Sequence, residues 1–259
     1  MASFIIKKAE ERGELKKGMK IIEATTGNTG ISFAMISAIK GYKFTAVMPE
    51  FASIERKKII KLFGGKIILT PAEKNIAGTI KKYKELTENV SDNVWLPKQF
   101  ENPDNIEAHE KGTGKEIIKQ MNRKVDAFVA GIGTGGTLIG TAKALKKINP
   151  KVKIIGVEPE ESAVLSGRKI AKLHKIQGIG EGFIPKLVED NRNLIDEVIQ
   201  IKSSKAIEMQ KKLIMKKGLL VGISSGANFL AAAQANKKYK KVVTVFPDRG
   251  ERYLQDSGL

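Results

Sequence analysis

The hydrophobic and polar positions of this chain follow two rhythms. Short, mostly apolar runs occur at KIIEA (residues 20–24), FTAVMPE (44–50) and KIILTP (66–71). Each is followed or separated by longer stretches in which apolar side chains recur on one helical face. The first rhythm predicts buried strands and the second predicts helices. ISFAMISAIK, residues 31–40, reads as a helix with a mostly apolar face, and SIERKKIIKLFG as an amphipathic helix stopped by Gly64 and Gly65. The second half repeats the theme with AFVAGI, LIGTAKALKKIN and KIIGVEP as strand, helix and strand. SKAIEMQKKLIMKKG and NFLAAAQANKK are further helices, and VVTVFPD is a last strand. Helix following strand at this spacing implies right-handed βαβ units, hence an α/β fold with parallel strands in two sheets or one long one. The prolines and asparagines of LPKQFENPDN interrupt both rhythms. They predict an N-terminal α/β domain over residues 1–102 and a C-terminal one over 103–259.

Composition narrows the picture. With 259 residues and 41% hydrophobic side chains the chain can bury a substantial core. No apolar run reaches the roughly 18 residues needed to span a bilayer. MASFIIKKAEERGELKKG reads as a helix, without the apolar stretch and cleavage site of a secretory signal. Cysteine is absent, which excludes disulfides and thiolate metal sites and fits a cytoplasmic protein. The net charge of +18 raises the question of nucleic acid. The lysines, however, are spread along the wet faces of helices, and neither zinc-finger spacing nor an aromatic RNA-binding signature is present. The expectation is a lysine-rich surface that attracts small anions, with no nucleic-acid, membrane or metal partner.

Three glycine- or hydroxyl-rich segments sit where strands or loops open into helices. GIGTGGTLIG, residues 131–140, turns successive backbone N–H groups toward one point at a helix N-terminus, with Thr134 and Thr137 adding hydroxyls. That is a phosphate cradle. Gly131, Gly133 and Gly136 also satisfy the dinucleotide-binding glycine pattern, but the nearest acidic candidate, Glu158, is too far along, and a tight turn without ligand remains an alternative. TTGNTG, residues 25–30, suits a carboxylate or is simply a capped turn. GISSGA, residues 222–227, places Ser224 or Ser225 to cap a helix or to face a ligand.

With the order and content of these loops, the chain resembles the cysteine synthase (O-acetylserine sulfhydrylase) and cystathionine β-synthase family of fold-type II pyridoxal 5'-phosphate (PLP) enzymes. Further stretches carry the resemblance, among them MPEFASIERKKIIKLFGGKIILTP, QFENPDNIEAHEKGTGKEI, HKIQGIGEGFIP and VFPDRGERYL. It implies two open parallel-sheet domains of the tryptophan synthase β-like type, lacking the N-terminal strands. It implies that Gly133, Thr134, Gly135, Gly136 and Thr137 hold the PLP phosphate, and that Asn28 bonds the ring hydroxyl. Ser224 faces the pyridine nitrogen, with Ser225 the neighbouring alternative. Thr25, Thr26, Gly27, Thr29 and Gln99 receive the substrate carboxylate, and Gly180 lies over the cofactor. The implied reaction is β-replacement on O-acetyl-L-serine by sulfide or a thiol, in a homodimer.

The resemblance also marks departures. The family's Schiff-base lysine falls in a segment resembling S-x-K-D-R, which would lie just before Met1. The expectation is an N-terminally truncated chain, with Met1 an internal methionine of a longer product rather than the start of a short or non-catalytic relative. Lys7 and Lys8, about two turns along the first helix, are expected to face solvent and not to substitute. Thr26 stands where serine is common. Glu181 stands where a small residue is common, either as a solvent-facing glutamate or as a base near the substrate that tilts the chemistry toward cystathionine β-synthase-like or cysteine-lyase activity. His109 and His174 are expected to be structural, and Arg249 has no assigned role.

Overall fold

In the computed structural model, residues 1–168 and 172–254 are described. Two four-stranded sheets are present, and every pairing within them is parallel. The α/β expectation therefore holds, in its two-sheet form. The chain separates into two compact units, Met1–Asp104 joined by the segment from Arg252, and Asn105–Glu251.

In the first unit the strands are Lys20–Ala24 (β1), Lys43–Pro49 (β2), Lys66–Thr70 (β3) and Val94–Trp95 (β4), in the order β3-β2-β1-β4. Helices Ala2–Glu11 (α1), Asn28–Lys40 (α2), Ile54–Leu62 (α3) and Asn75–Thr87 (α4) accompany them. Ile5, Ile6 and Ala9 of α1 are fully enclosed and belong to one core with Phe33, Phe44, Met48 and Ile60. The Phe33 and Phe44 rings stack with centroids 6.1 Å apart. Burial of each such side chain contributes about 1.5–3 kcal/mol. The opening helix ends at Glu11, before Gly13 takes a left-handed φ of 72°.

In the second unit the strands are Ala127–Gly131 (β5), Lys153–Pro159 (β6), Glu197–Ile201 (β7) and Val242–Thr244 (β8), ordered β7-β6-β5-β8. Pro103–His109 (α5), which begins at the end of the first unit, runs through a π-helical turn at Glu110–Gly114 into Lys115–Gln120 (α6). Gly136–Ile148 (α7), Lys186–Glu189 (α8), Ser203–Lys217 (α9) and Ile223–Ala235 (α10) complete the unit. Phe128, Leu138, Ile139, Ile154 and Val188 form its core.

The GISSGA segment departs from the loop expectation. Gly222 is the N-cap, and α10 begins at Ile223, so Ser224 and Ser225 lie in its first turn. The small residues serve close packing of α10 on α9: a Cβ at Gly226 would come 2.2 Å from the Ala206 carbonyl oxygen. No helix among the described residues is long and apolar enough to cross a membrane.

Each sheet changes the direction of its strand order beside its first strand, β1 or β5. In open parallel sheets, ligands bind outside the carboxyl ends of the strands at that reversal. TTGNTG leaves the carboxyl end of β1, and GIGTGGT leaves that of β5.

Candidate functional site

In the first unit, TTGNTG is wound tightly into the start of α2. Thr25 is buried, and its hydroxyl oxygen accepts the N–H groups of Gly27 at 2.9 Å and Gly30 at 3.2 Å, so this side chain builds the turn. Gly27 has φ 145°, and a Cβ there would meet the Arg56 Cδ at 2.2 Å, so only glycine fits. Thr26, Asn28 and Thr29 are half-buried. The N-cap of α2, Gly27, has no side chain, and Thr25 satisfies the Gly30 N–H of the first turn; a helix N-terminus remains a favourable place for an anion. Asn28 Oδ1 accepts a hydrogen bond from Arg252 Nη1 at 2.7 Å.

Gln99 is brought to the end of β1, as expected of a residue grouped with this loop. Its side-chain amide donates to the Ala24 carbonyl, and its backbone N–H donates to Glu23 Oε2 at 3.0 Å. Glu23 is fully enclosed, and burial pushes its pKa up to about 8. Beneath the loop, the Arg56 guanidinium is completely buried and lies over the Tyr253 ring, with Cζ 4.6 Å from the ring centroid.

In the second unit, Gly133, Gly135 and Gly136 let the loop pack closely on its neighbours. A Cβ would come within 2.3 Å of the Gly178 oxygen at Gly133, 2.3 Å of Val188 Cγ2 at Gly135 and 2.1 Å of Asn105 Oδ1 at Gly136. Gly135, with φ 86°, is the N-cap of α7 and has no side chain of its own to cap that helix. A helix N-terminus is a favourable place for an anion such as phosphate. Thr134 Oγ1 accepts Asn105 Nδ2 at 2.9 Å and the Gly136 N–H at 3.3 Å, which holds the loop in shape. Thr137 Oγ1 lies 3.3 Å from His109 Nε2, while His109 Nδ1 lies 3.1 Å from Thr113 Oγ1. Burial lowers the His109 pKa to about 4, so the ring is neutral near pH 7. The residues present fit a phosphate-bearing group.

Gly180 is buried with φ 66°; its N–H donates to the Ile132 oxygen at 3.0 Å, and its carbonyl accepts the Ser162 hydroxyl at 2.9 Å. His174 Nε2 lies 2.9 Å from the same carbonyl, a structural contact. Glu181 is half-exposed. Ser224 and Ser225 are both buried, and the Ser225 hydroxyl has no hydrogen-bond partner among the described residues. Arg249 pairs with Glu251 at 2.8 Å on the surface. Lys7 is exposed and pairs with Glu11, whereas Lys8 is half-buried with its ammonium 5.8 Å from the centre of the Phe4 ring. The described residues contain no group of side chains that could hold a metal ion.

Glu23, Arg56, Asn105 and Arg252 escaped the reading of the sequence as site residues. The last two sit inside QFENPDN and GERYL, stretches that carried the resemblance without suggesting roles for these side chains.

Glycine- and hydroxyl-rich loops that open into helices at the carboxyl ends of β1 and β5 stand where α/β proteins of this class bind their ligands. Residues 1–248 match the family described as pyridoxal-phosphate dependent enzyme, and the chain belongs to that family. A cysteine synthase from Staphylococcus aureus (strain Mu50 / ATCC 700699) is 47% identical over 258 residues, covering 98% of this chain and 82% of that protein. Among solved structures, an O-acetylserine dependent cystathionine beta-synthase from Helicobacter pylori is 41% identical with a TM-score of 0.92, covering 98% of this chain and 82% of that one. A hydrogen sulfide-producing enzyme from Fusobacterium nucleatum is 44% identical with a TM-score of 0.90, covering 98% and 77% respectively.

Proposed function

We propose that this chain carries the machinery for forming L-cysteine from O-acetyl-L-serine and sulfide, releasing acetate. The observation that carries the reading is the close-packed glycine loop of residues 133–136 at the start of α7, in a chain 47% identical to a cysteine synthase. Pyridoxal phosphate bound there supplies an electron sink for negative charge at the substrate α-carbon. The loop of residues 133–137 holds the phosphate, kept in shape by the Gly136 N–H bond to Thr134 Oγ1. Asn28 donates to the ring oxygen. The N–H groups at the start of α2, with the Thr26 and Thr29 hydroxyls and the Gln99 amide, receive the substrate carboxylate and fix the amino acid's orientation. Ser224 offers a neutral hydroxyl to the ring nitrogen, which leaves that nitrogen unprotonated and favours loss and replacement of the β-substituent over transamination. Gly180 lies over the cofactor, close to the substrate amino group.

The Helicobacter pylori and Fusobacterium nucleatum neighbours favour a second reading in which Glu181, next to Gly180, serves a larger thiol or releases sulfide from cysteine. The test supplies O-acetyl-L-serine with sulfide, O-acetyl-L-serine with homocysteine, or cysteine alone, and measures cysteine, cystathionine and sulfide. It is run on the 259-residue chain and on the same chain with an added N-terminal segment that carries a Schiff-base lysine. Cysteine formation dominating in the lysine-bearing protein supports the first reading; cystathionine or sulfide dominating replaces it with the second. The protein is proposed to act as a cytoplasmic homodimer, which light scattering on the eluting peak checks.

A further inference from the structure

Asn28 is the first residue of α2, and its amide has a donor end and an acceptor end. Which end faces the ligand decides what it can do there. Arg252, in the 3-10 turn Gly250–Tyr253, answers that question: its Nη1 lies 2.7 Å from Asn28 Oδ1. A guanidinium has only donors, so the oxygen must face it; the flipped amide would set donor against donor. The turn is itself anchored by Tyr253, which is 1% exposed and lies beneath the Arg56 guanidinium. Arg252 therefore comes to Asn28 from a fixed segment 224 residues away in sequence.

We propose that Arg252 is a positioning residue that locks the Asn28 amide with Nδ2 as its ligand-facing end, making Asn28 a hydrogen-bond donor to the ring oxygen of pyridoxal phosphate. The inference rests on the reading of Asn28 given under the proposed function. Donation to that oxygen favours its ionised form. Arg252 thus acts on both the affinity for the cofactor and the pH at which the ring oxygen ionises, without touching the cofactor. No nearby sequence signal marks this role, because the two residues meet only in the fold.

The experiment titrates the 259-residue chain with pyridoxal phosphate and records the dissociation constant and the absorption spectrum against pH. Arg252→Met, which has no donor, is expected to bind about tenfold more weakly, the loss of one modest hydrogen bond, and to ionise the bound ring oxygen at higher pH. Arg252→Lys keeps a donor to Oδ1 and is expected to recover most of both effects. In an Asn28→Ala background Arg252→Met should add nothing further, since its action runs through Asn28. Arg252→Met with wild-type affinity and wild-type pH-dependent spectrum would overturn the inference, as would an undiminished effect in the Asn28→Ala background. If Arg252→Met lacks a thermal unfolding transition, Arg252→Lys decides: a wild-type spectrum supports the inference, and a shift of equal size with and without Asn28 overturns it. Failure of the unsubstituted chain to bind pyridoxal phosphate at all overturns this inference, and is distinguished from failure of the proposed function by the product test described above.

Discussion

The buried carboxylate of Glu23 joins the last residue of β1 to Gln99, accepting the Gln99 N–H at 3.0 Å and the Ala24 N–H at 2.8 Å. Burial raises its pKa from 4.5 to about 8 despite those two hydrogen bonds. In the unfolded chain the same carboxyl ionises in its ordinary range. Between about pH 4.5 and 8 the folded protein therefore holds a proton that the unfolded chain has lost, and stability falls as pH rises through that window. Thermal unfolding followed from pH 5 to pH 8 should show this decline, and Glu23→Gln, which cannot ionise, should flatten it. An unchanged slope in Glu23→Gln would mean that other groups set it.

The glycine cradle predicts a sharp loss on adding one carbon. Gly136→Ala places a Cβ 2.1 Å from Asn105 Oδ1, and Asn105 in turn holds Thr134. The side chain cannot stay where it is, so the loop must open. Affinity for pyridoxal phosphate should fall by at least tenfold, read by fluorescence titration. Gly41→Ala is a suitable control: Gly41 has open space around it and ends α2 in a left-handed conformation. Its cost should appear in stability and not in cofactor affinity.

Much of this architecture is legible in the chain because buried parallel strands are written as unbroken apolar runs. β1 and β6 coincide with KIIEA and KIIGVEP to the residue. Elements that escaped such reading lack that clarity. NIAGTIKKYKELT, which forms α4, mixes Gly78 and threonines with lysines, and β7 is a five-residue edge strand buried at only two of its positions. The loops proposed to bind ligand stood out because glycine and hydroxyl residues cluster where strand gives way to helix. Their partners Glu23 and Arg252 did not: Glu23 meets Gln99 across 76 residues of sequence, and Arg252 meets Asn28 across 224. Local pattern carries no trace of such meetings.

Arg56 predicts a structural penalty beside the substrate loop. Its guanidinium is fully buried, lies 4.6 Å from the Tyr253 ring centroid and contacts the Tyr253 hydroxyl, and its Cδ fills the space that a Cβ on Gly27 would need. Arg56→Ala removes both the packing and the charge-assisted contact and should cost about 2–4 kcal/mol in denaturant unfolding. Arg56→Lys should recover little, since a point charge reproduces neither the planar stacking nor the packed width. Tyr253→Phe keeps the ring and should cost less than Arg56→Ala.

His109 predicts an acid-side loss of stability distinct from the effect of Glu23. Burial holds its folded pKa near 4 against 6.5 for an ordinary imidazole, and the Thr113 and Thr137 hydroxyls lie beside its two nitrogens. Below about pH 6.5 the unfolded chain takes up a proton that the folded ring refuses, so stability declines as pH falls toward about 4. The loss attributable to this ring is at most about 3 kcal/mol, from roughly 1.4 kcal/mol per unit of pKa difference. His109→Gln keeps an amide within reach of both hydroxyls but does not titrate, so it should remove this part of the acid slope while leaving the neutral-pH melting temperature within a few degrees. Ring proton resonances of His109 that show no titration between pH 8 and pH 5 would support the assignment. A midpoint near 6.5 would place the ring in contact with water, and Thr137 would then lose its fixed neighbour at the start of α7.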